Sequence, residues 1–335
     1  MNLNERIELA GRLGNYLLSD EPAWIQAKEM ASRSNPWFIL PFIDRATQQL
    51  SKAFLNPQKL SDWATRAGIP ENLAAPKKVG LVLASNLPLV GFHDWLAVFI
   101  SGNHALIKLS AQDSILFEHL AAKLIEWDPR MANQLQIAER LNQAEAFIAT
   151  GSDNTARYFE YYFGRSPHII RKNRTSVAIL TGRESEAELI ALSDDLYSYF
   201  GRGCRNVTQL CVPRGYDFKP LLGAGDAYQF LAEHHKLKNN YDYQLALRIL
   251  NKEYYMTNGI ALFVEQPSLY APIGVVHIHY YDQPEEAAEW SERHLEQIQC
   301  RVGWHGIPFG TTQTPTLDQY ADGIDTLSFL RELNS

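Results

Sequence analysis

The alternation that begins at Val79 limits this chain more than any other feature. Val79-Gly80-Leu81-Val82-Leu83-Ala84 is a continuous apolar run with β-branched members. Ala105-Leu106-Ile107-Lys108-Leu109 is a second run and Ala146-Phe147-Ile148-Ala149-Thr150 a third. Short apolar runs of this kind suit strands covered on both faces, as in parallel sheets. Helical segments stand where that cover is needed: His93–Ile100, Ser114–Trp127 and Asp153–Phe163. The β-α-β-α-β order predicts an α/β fold built on a doubly wound parallel sheet. Such sheets bind ligands beyond the carboxyl ends of their strands. That directs attention to Ser85–Pro88, Lys108–Ser110 and Thr150–Ser152.

Residues 2–70 read as helical, with Ile7, Ala10, Leu13 and Leu17 on one face. Ser61-Asp62 before Trp63 marks a helix start. Beyond 175 a second strand-rich unit is expected, with strands at 176–180, 207–212, 260–264 and 275–280. Its helices are expected at 184–200, 217–235, 241–254 and 285–297, and the tail from Gly303 reads as loop. The 335 residues correspond to about two domains. Composition excludes several classes. At 46% hydrophobic and 21% charged residues the chain is neither disordered nor a coiled coil. A net charge of −7 argues against binding a nucleic-acid backbone. The most apolar stretch, Val79–Leu109, is interrupted by Asn86, Pro88, His93, Asp94, Asn103 and His104, so no membrane span is expected. Glu5, Arg6, Glu8 and Arg12 break any export signal. Three cysteines do not make a disulfide framework, and a cytoplasmic location is expected.

Cys204 is the first candidate for chemistry. It sits in Gly201-Arg202-Gly203-Cys204-Arg205, where two glycines widen the backbone's choices and two arginines would favour the thiolate. An inert small hydrophobe is the competing reading. Cys211, inside an apolar run, reads as a buried structural thiol, and Cys300 receives no role. His277 and His279 alternate on one strand without an acidic or cysteine partner at metal-like spacing, and they read as structural. His234-His235 on a helix point two ways. No metal site is expected. Neither GxGxxG nor GxxxxGK[ST] occurs. Gly151-Ser152 could offer helix N-terminal N–H groups to a phosphate, or be an ordinary helix start. Lys108, with Ser110 beyond it, could meet a ribose or phosphate, or be a solvated strand end.

Taken in order, these segments resemble the aldehyde dehydrogenase superfamily, and within it the LuxC-like acyl-CoA reductases. Ser85-Asn86-Leu87-Pro88-Leu89 resembles the loop in which asparagine precedes Tyr/Phe-Pro-Leu. Gly102-Asn103-His104-Ala105-Leu106-Ile107-Lys108-Leu109-Ser110 resembles Gly-Asn-x-x-x-x-Lys-Pro-Ser, with Leu109 in place of proline. Phe147–Ser152 resembles the Phe-Thr-Gly-Ser turn, and Gly201–Val212 the segment around the catalytic cysteine. Tyr270-Ala271-Pro272-Ile273 and Pro308-Phe309-Gly310 echo two late motifs. The resemblance implies a helical N-terminus and Rossmann-like cofactor domain over 1–175, rejoined by 304–335, and a catalytic domain over 176–303. It makes Cys204 the nucleophile. Asn86 and the Cys204 backbone N–H would form the oxyanion hole. Lys108 and Ser110 would hold the adenosine ribose or 2′-phosphate. Thr150, Gly151 and Ser152 would lie under the pyrophosphate and nicotinamide.

Two departures qualify the match. Ile179 falls where hydrolytic members carry the glutamate that activates water, and isoleucine cannot take a proton. Ser268 replaces the glutamate two positions before the late aromatic. The implied activity is NADPH-dependent reduction of a fatty acyl-CoA, or another acyl thioester, to the aldehyde through an acyl-cysteine, in a pocket between the domains. NADH is the possible second cofactor, and a homodimer the possible assembly. Three alternatives stay open: a hydrolytic aldehyde dehydrogenase, a non-redox cysteine acyltransferase or thioesterase, and a non-catalytic relative. Trp95, Tyr197 and Trp304 could shape an acyl pocket or belong to the core.

Overall fold

Asn2 opens the first helix with a capping box: its side chain accepts the Glu5 N–H at 2.8 Å, and the Glu5 carboxylate accepts the Asn2 N–H at 2.7 Å. Helices α1 (Leu3–Leu17), α2 (Pro22–Ser34) and α3 (Leu40–Gln49), a π-helical turn at Leu50–Phe54 and α4 (Pro57–Arg66) follow. α4 does not begin at Ser61-Asp62. Asn56 caps it by accepting the Lys59 N–H at 3.1 Å, and Pro57 supplies a first position that needs no donor. The computed structural model describes residues 1–110, 113–151 and 153–334. It divides into two units, Met1–Asn173 with Pro315–Ser335, and Arg174–Thr314.

In the first unit β1 (Lys78–Val82), α5 (Phe92–Ser101), β2 (His104–Lys108), α6 (Ile115–Trp127), α7 (Met131–Gln134), β3 (Leu135–Ile137), β4 (Ala146–Thr150), α8 (Asp153–Phe163) and β5 (His168–Arg171) alternate along the chain. They build a parallel sheet in the order β3-β2-β1-β4-β5. The three inner strands are the three apolar runs. The edge strands β3 and β5 are short and partly exposed, so they lack the continuous apolar signature. The N-terminal helices bury Trp24 and Trp63 in the same core as Trp95 of α5, which stacks on Phe99. The returning tail packs its last helix, Thr326–Glu332, against α5. Asn103 ties the tail down by donating to Leu330 O at 3.3 Å and accepting the Lys77 N–H at 2.9 Å.

The second unit holds β6 (Thr175–Ile179), α9 (Glu186–Tyr197), β7 (Val207–Pro213), α10 (Lys219–Gly223), α11 (His235–Asn251), β8 (Met256–Thr257), β9 (Leu262–Glu265), β10 (Val275–Tyr281), α12 (Pro284–Arg293) and β11 (Ile298–Gly303). Its sheet runs β11-β6-β7-β10-β9-β8, parallel except for β8. Residues 217–235 form no continuous helix: α10 ends at Gly223, and a 3-10 turn covers Asp226–Leu231. His234 therefore caps α11 rather than lying within a helix, and its ring is 5.0 Å from that of His235. Residues 304–314 stay with this unit. The Trp304 N–H donates to Ile179 O at 3.0 Å, and the buried Asp195 carboxylate accepts N–H groups from Gly310 at 2.7 Å and Thr312 at 3.0 Å. Among the described residues no helix is long and apolar enough to cross a membrane.

Candidate active site

In the first unit β1 lies between β2 and β4: the crossover from β1 leads to β2 and the one from β3 returns to β4 on the other side, so the strand order reverses at β1. Open α/β sheets bind ligands at the strand carboxyl ends beside such a point. Val82 at the end of β1 is in register with Lys108 on one side and Ala149 on the other. The chain thus brings the Asn86 loop, Lys108 with Ser110, and Thr150 with Gly151 to three adjacent strand ends. Asn86 and Ser110 are half-buried and Lys108 is exposed. The Gly151 N–H donates to Arg171 O at 3.2 Å. A Cβ at Gly151 would stand 2.9 Å from the Thr155 Cβ, so only glycine lets this turn close so tightly. Ser152, a further candidate, lies outside the described residues.

The loop carrying Asn86 contains a feature that periodicity does not announce. Leu89 has φ 55° and is buried. A left-handed non-glycine residue costs about 1–2 kcal/mol. The Asp113 carboxyl accepts the Leu89 N–H and holds the loop in this form. The Asp113 N–H in turn donates to Ser110 O at 3.1 Å. Burial pushes the Asp113 carboxyl up to about 8, and the Leu89 N–H opposes that only in part.

A stability prediction follows from Asp113. Between its ordinary value near 4 and about 8, the native state holds a proton that the unfolded chain has released. With one proton bound in the native state and none in the unfolded state, stability falls as pH rises across that window and levels above it. Asp113→Asn should flatten this slope. Urea midpoints at pH 5, 7 and 8.5 test it; equal slopes for the two proteins would count against it.

In the second unit Cys204 occupies the turn just before β7 and is half-buried. Tyr199, Phe200 and Gly201 precede it with φ of 53°, 59° and 69°. Three consecutive left-handed residues make a sharp reversal after α9, and only Gly201 adopts it without strain. Both aromatic residues are buried, and His234 packs its ring on Phe200 at 4.5 Å. A cavity of about 30 Å³ lies here, lined among others by Tyr197, Phe200, Leu231, Ile260 and Val276. It has room for about one water, not for a fatty chain. Trp95 and Tyr197 are core residues, and Trp304 is half-buried.

The three thiols differ by environment, and none is in a disulfide. Cys211 is fully buried in β7, and burial pushes it up to about 12. Cys300 is buried on β11 and accepts from Arg205 Nη1 at 3.3 Å; burial raises it more than Arg205 lowers it. Cys204 is the most accessible of the three. Ile179, in contrast, is fully buried between β7 and β11 and packs with Cys211, Tyr281 and Ala287. It is a core position. His277 bonds Ser268 O through Nδ1 at 2.6 Å, and His279 stacks on Trp290 at 5.1 Å. Among the described residues no group of three or more His, Cys, Asp or Glu could hold a metal ion.

The comparisons agree with this architecture. Residues 43–200 match the acyl-CoA reductase (LuxC) family model, a stretch that spans the first unit's sheet and ends four residues before Cys204. No curated protein matches. Aldehyde dehydrogenase 21 from Physcomitrella patens, solved with the reaction product succinate, superposes with a TM-score of 0.69 at 11% identity, covering 90% of this chain and 74% of that one. The Mycobacterium tuberculosis aldehyde dehydrogenase complexed with NAD+ gives 0.64 at 14% identity, over 91% of this chain and 73% of that one. The P. syringae indole-3-acetaldehyde dehydrogenase AldA gives 0.64 at 13% identity, over 91% of this chain and 72% of that one. At these identities the likeness speaks for the fold. Residues 43–200 are thus similar to the acyl-CoA reductase (LuxC) family of oxidoreductases, and the chain as a whole has the aldehyde dehydrogenase fold.

Proposed function

We propose that this protein reduces a fatty acyl-CoA to the aldehyde with NADPH through an acyl-cysteine at Cys204. The observation that carries the reading is the acyl-CoA reductase family match combined with one accessible thiol, Cys204, on a strained turn. Cys204 thiolate attacks the thioester carbonyl, the tetrahedral adduct collapses, and CoA leaves as its thiolate. The Asn86 side-chain N–H and the Cys204 backbone N–H stabilise the oxyanion of that adduct. Asn86→Ala should therefore lower kcat by about 10²–10³-fold, read in steady-state assays.

A dinucleotide fits the first unit on structural grounds. Its parallel sheet has a switch point at β1, Lys108 stands exposed at the adjacent strand end, and Gly151 permits close backbone approach. Lys108 and Ser110 would hold its adenosine ribose or 2′-phosphate, and Thr150 and Gly151 its pyrophosphate. When bound, the reduced nicotinamide supplies the hydride that takes the acyl group to the aldehyde level. Cys204 holds the acyl group until then and recovers its thiolate on release.

The deciding experiment is a spectrophotometric screen of NADPH and NADH against acyl-CoAs of several lengths, with mass spectrometry of the trapped acyl-enzyme. Acyl-CoA-dependent loss of reduced nicotinamide, with the acyl mass on Cys204, is the expected result. Oxidation of aldehydes to free acids without CoA would instead indicate a hydrolytic dehydrogenase. Light scattering tests the homodimer that belongs to the same reading.

A further inference from the structure

The path of the chain through Cys204 depends on two buried side chains that touch neither cofactor nor substrate in the reading above. Asn206 is fully buried. Its Nδ2 donates to Asp195 O at 3.0 Å and to Ser198 O at 2.9 Å, and its Oδ1 accepts the Gly203 N–H at 2.8 Å. Its own N–H donates to Gly203 O at 3.0 Å. One residue thus ties the end of α9, the left-handed reversal and the glycine before the cysteine. Ser176, at the start of β6 and also fully buried, acts from the following side. Its Oγ donates to Cys204 O at 3.0 Å and accepts the Cys300 N–H at 3.0 Å.

Two of these contacts fall on the peptide units that flank the Cys204 Cα, the Asn206 backbone N–H on Gly203 O and the Ser176 hydroxyl on Cys204 O. A peptide unit is planar, so anchoring its carbonyl oxygen also sets the direction of its N–H. The unit that ends in the Cys204 N–H carries Gly203 O, which the Asn206 backbone N–H holds, while the Asn206 side chain pins the Gly203 N–H of the unit before it and the Asp195 and Ser198 carbonyls. The unit that begins with Cys204 carries Cys204 O, which Ser176 holds. We propose that Asn206 and Ser176 are positioning residues for Cys204: the Ser176 hydroxyl fixes the following peptide plane directly, and the Asn206 side chain fixes the turn in which the Asn206 backbone N–H holds the preceding one, so that the sulfur and the backbone N–H are aimed before acylation. The proposal rests on Cys204 being the nucleophile. Its advantage is preorganisation, since a donor already aimed at the developing oxyanion need not reorient during the reaction. The strained Tyr199-Phe200 backbone persists because Asn206 bonds its flanks, Ser198 and Gly203.

The test uses the full chain as Cys204→Ala, Asn206→Ala, Asn206→Asp and Ser176→Ala, with the acyl-CoA turned over fastest in the screen. Three quantities are read: CoA released in the first turnover, kcat against KM, and the pH dependence of Cys204 alkylation by iodoacetamide. Asn206→Asp keeps an acceptor for the Gly203 N–H and loses both donors. Ser176→Ala removes one hydroxyl and serves if the Asn206 variants do not fold. We expect folded positioning variants to release CoA about 10²-fold more slowly. Their KM should be nearly unchanged, and the alkylation profile should be displaced along the pH axis. Wild-type CoA release from a folded Asn206→Asp or Ser176→Ala overturns the positioning role, even if melting falls. An active Cys204→Ala overturns the nucleophile itself, and the positioning role with it.

Discussion

Cys204→Ala is expected to abolish acyl-CoA-dependent oxidation of reduced nicotinamide, by roughly 10⁴-fold or more. The size follows from the chemistry. A thiolate splits a direct hydride transfer to a thioester into acylation and reduction of a more confined acyl group, and no neighbouring side chain replaces it. Cys211 cannot substitute, because it is sealed in β7 with its thiol pushed up to about 12. Cys300 is likewise buried, on β11. Incubation with acyl-CoA followed by peptide mass mapping should show the acyl group on Cys204 in the parent protein and in Cys211→Ala, and on no cysteine of Cys204→Ala. Acylation of another cysteine at the parent rate would end the assignment.

Arg171→Leu should cost about 3–5 kcal/mol of stability. Arg171 is buried at the end of β5, where Nη2 donates to Asp94 Oδ1 at 2.8 Å and to Thr326 Oγ1 at 2.7 Å, and Nη1 donates to Ala321 O. It joins the parallel sheet, α5 and the returning tail in one network. Removing it leaves the Asp94 carboxylate buried without its cation, and that penalty exceeds the net worth of the pair. For a cooperative unit of about 200 residues the loss corresponds to a melting temperature lower by about 6–20 °C. Arg171→Leu combined with Asp94→Leu should recover much of it, because neither charge is then stranded. Thermal and guanidinium unfolding of the two variants separate these outcomes. A double variant no more stable than Arg171→Leu would show that the backbone and Thr326 bonds matter more than the ion pair.

Much of the fold can be read from local pattern. Inner strands covered on both faces must be apolar throughout, which is why Val79, Ala105 and Ala146 announce β1, β2 and β4. The edge strands β3, β5 and β11 expose part of their surface, so their sequences lose that mark. The return of the tail is illegible for a different reason. Residues 304–314 are loop in character, and they stay in the second unit because the buried Asp195, far away in the chain, accepts from Gly310 and Thr312.

The candidate residues divide in the same way. Local sequence alone singles out the glycine-flanked Cys204 and the loops after the apolar strands, because special backbone freedom and strand ends both leave marks in residue type. The helix caps at Asn2 and Asn56 are closed within a single turn, yet the pattern before Trp63 points to Ser61-Asp62, and the structure moves that start to Asn56. Only the tertiary structure decides that Lys108, Thr150 and the Asn86 loop share one end of one sheet, because strand order depends on crossovers between distant segments. It alone reveals Asp113 beneath Leu89, and Asn206 and Ser176 around Cys204. Hydrogen bonds between residues brought together by folding have no period and no motif, and their energy comes from burial that the linear chain does not display.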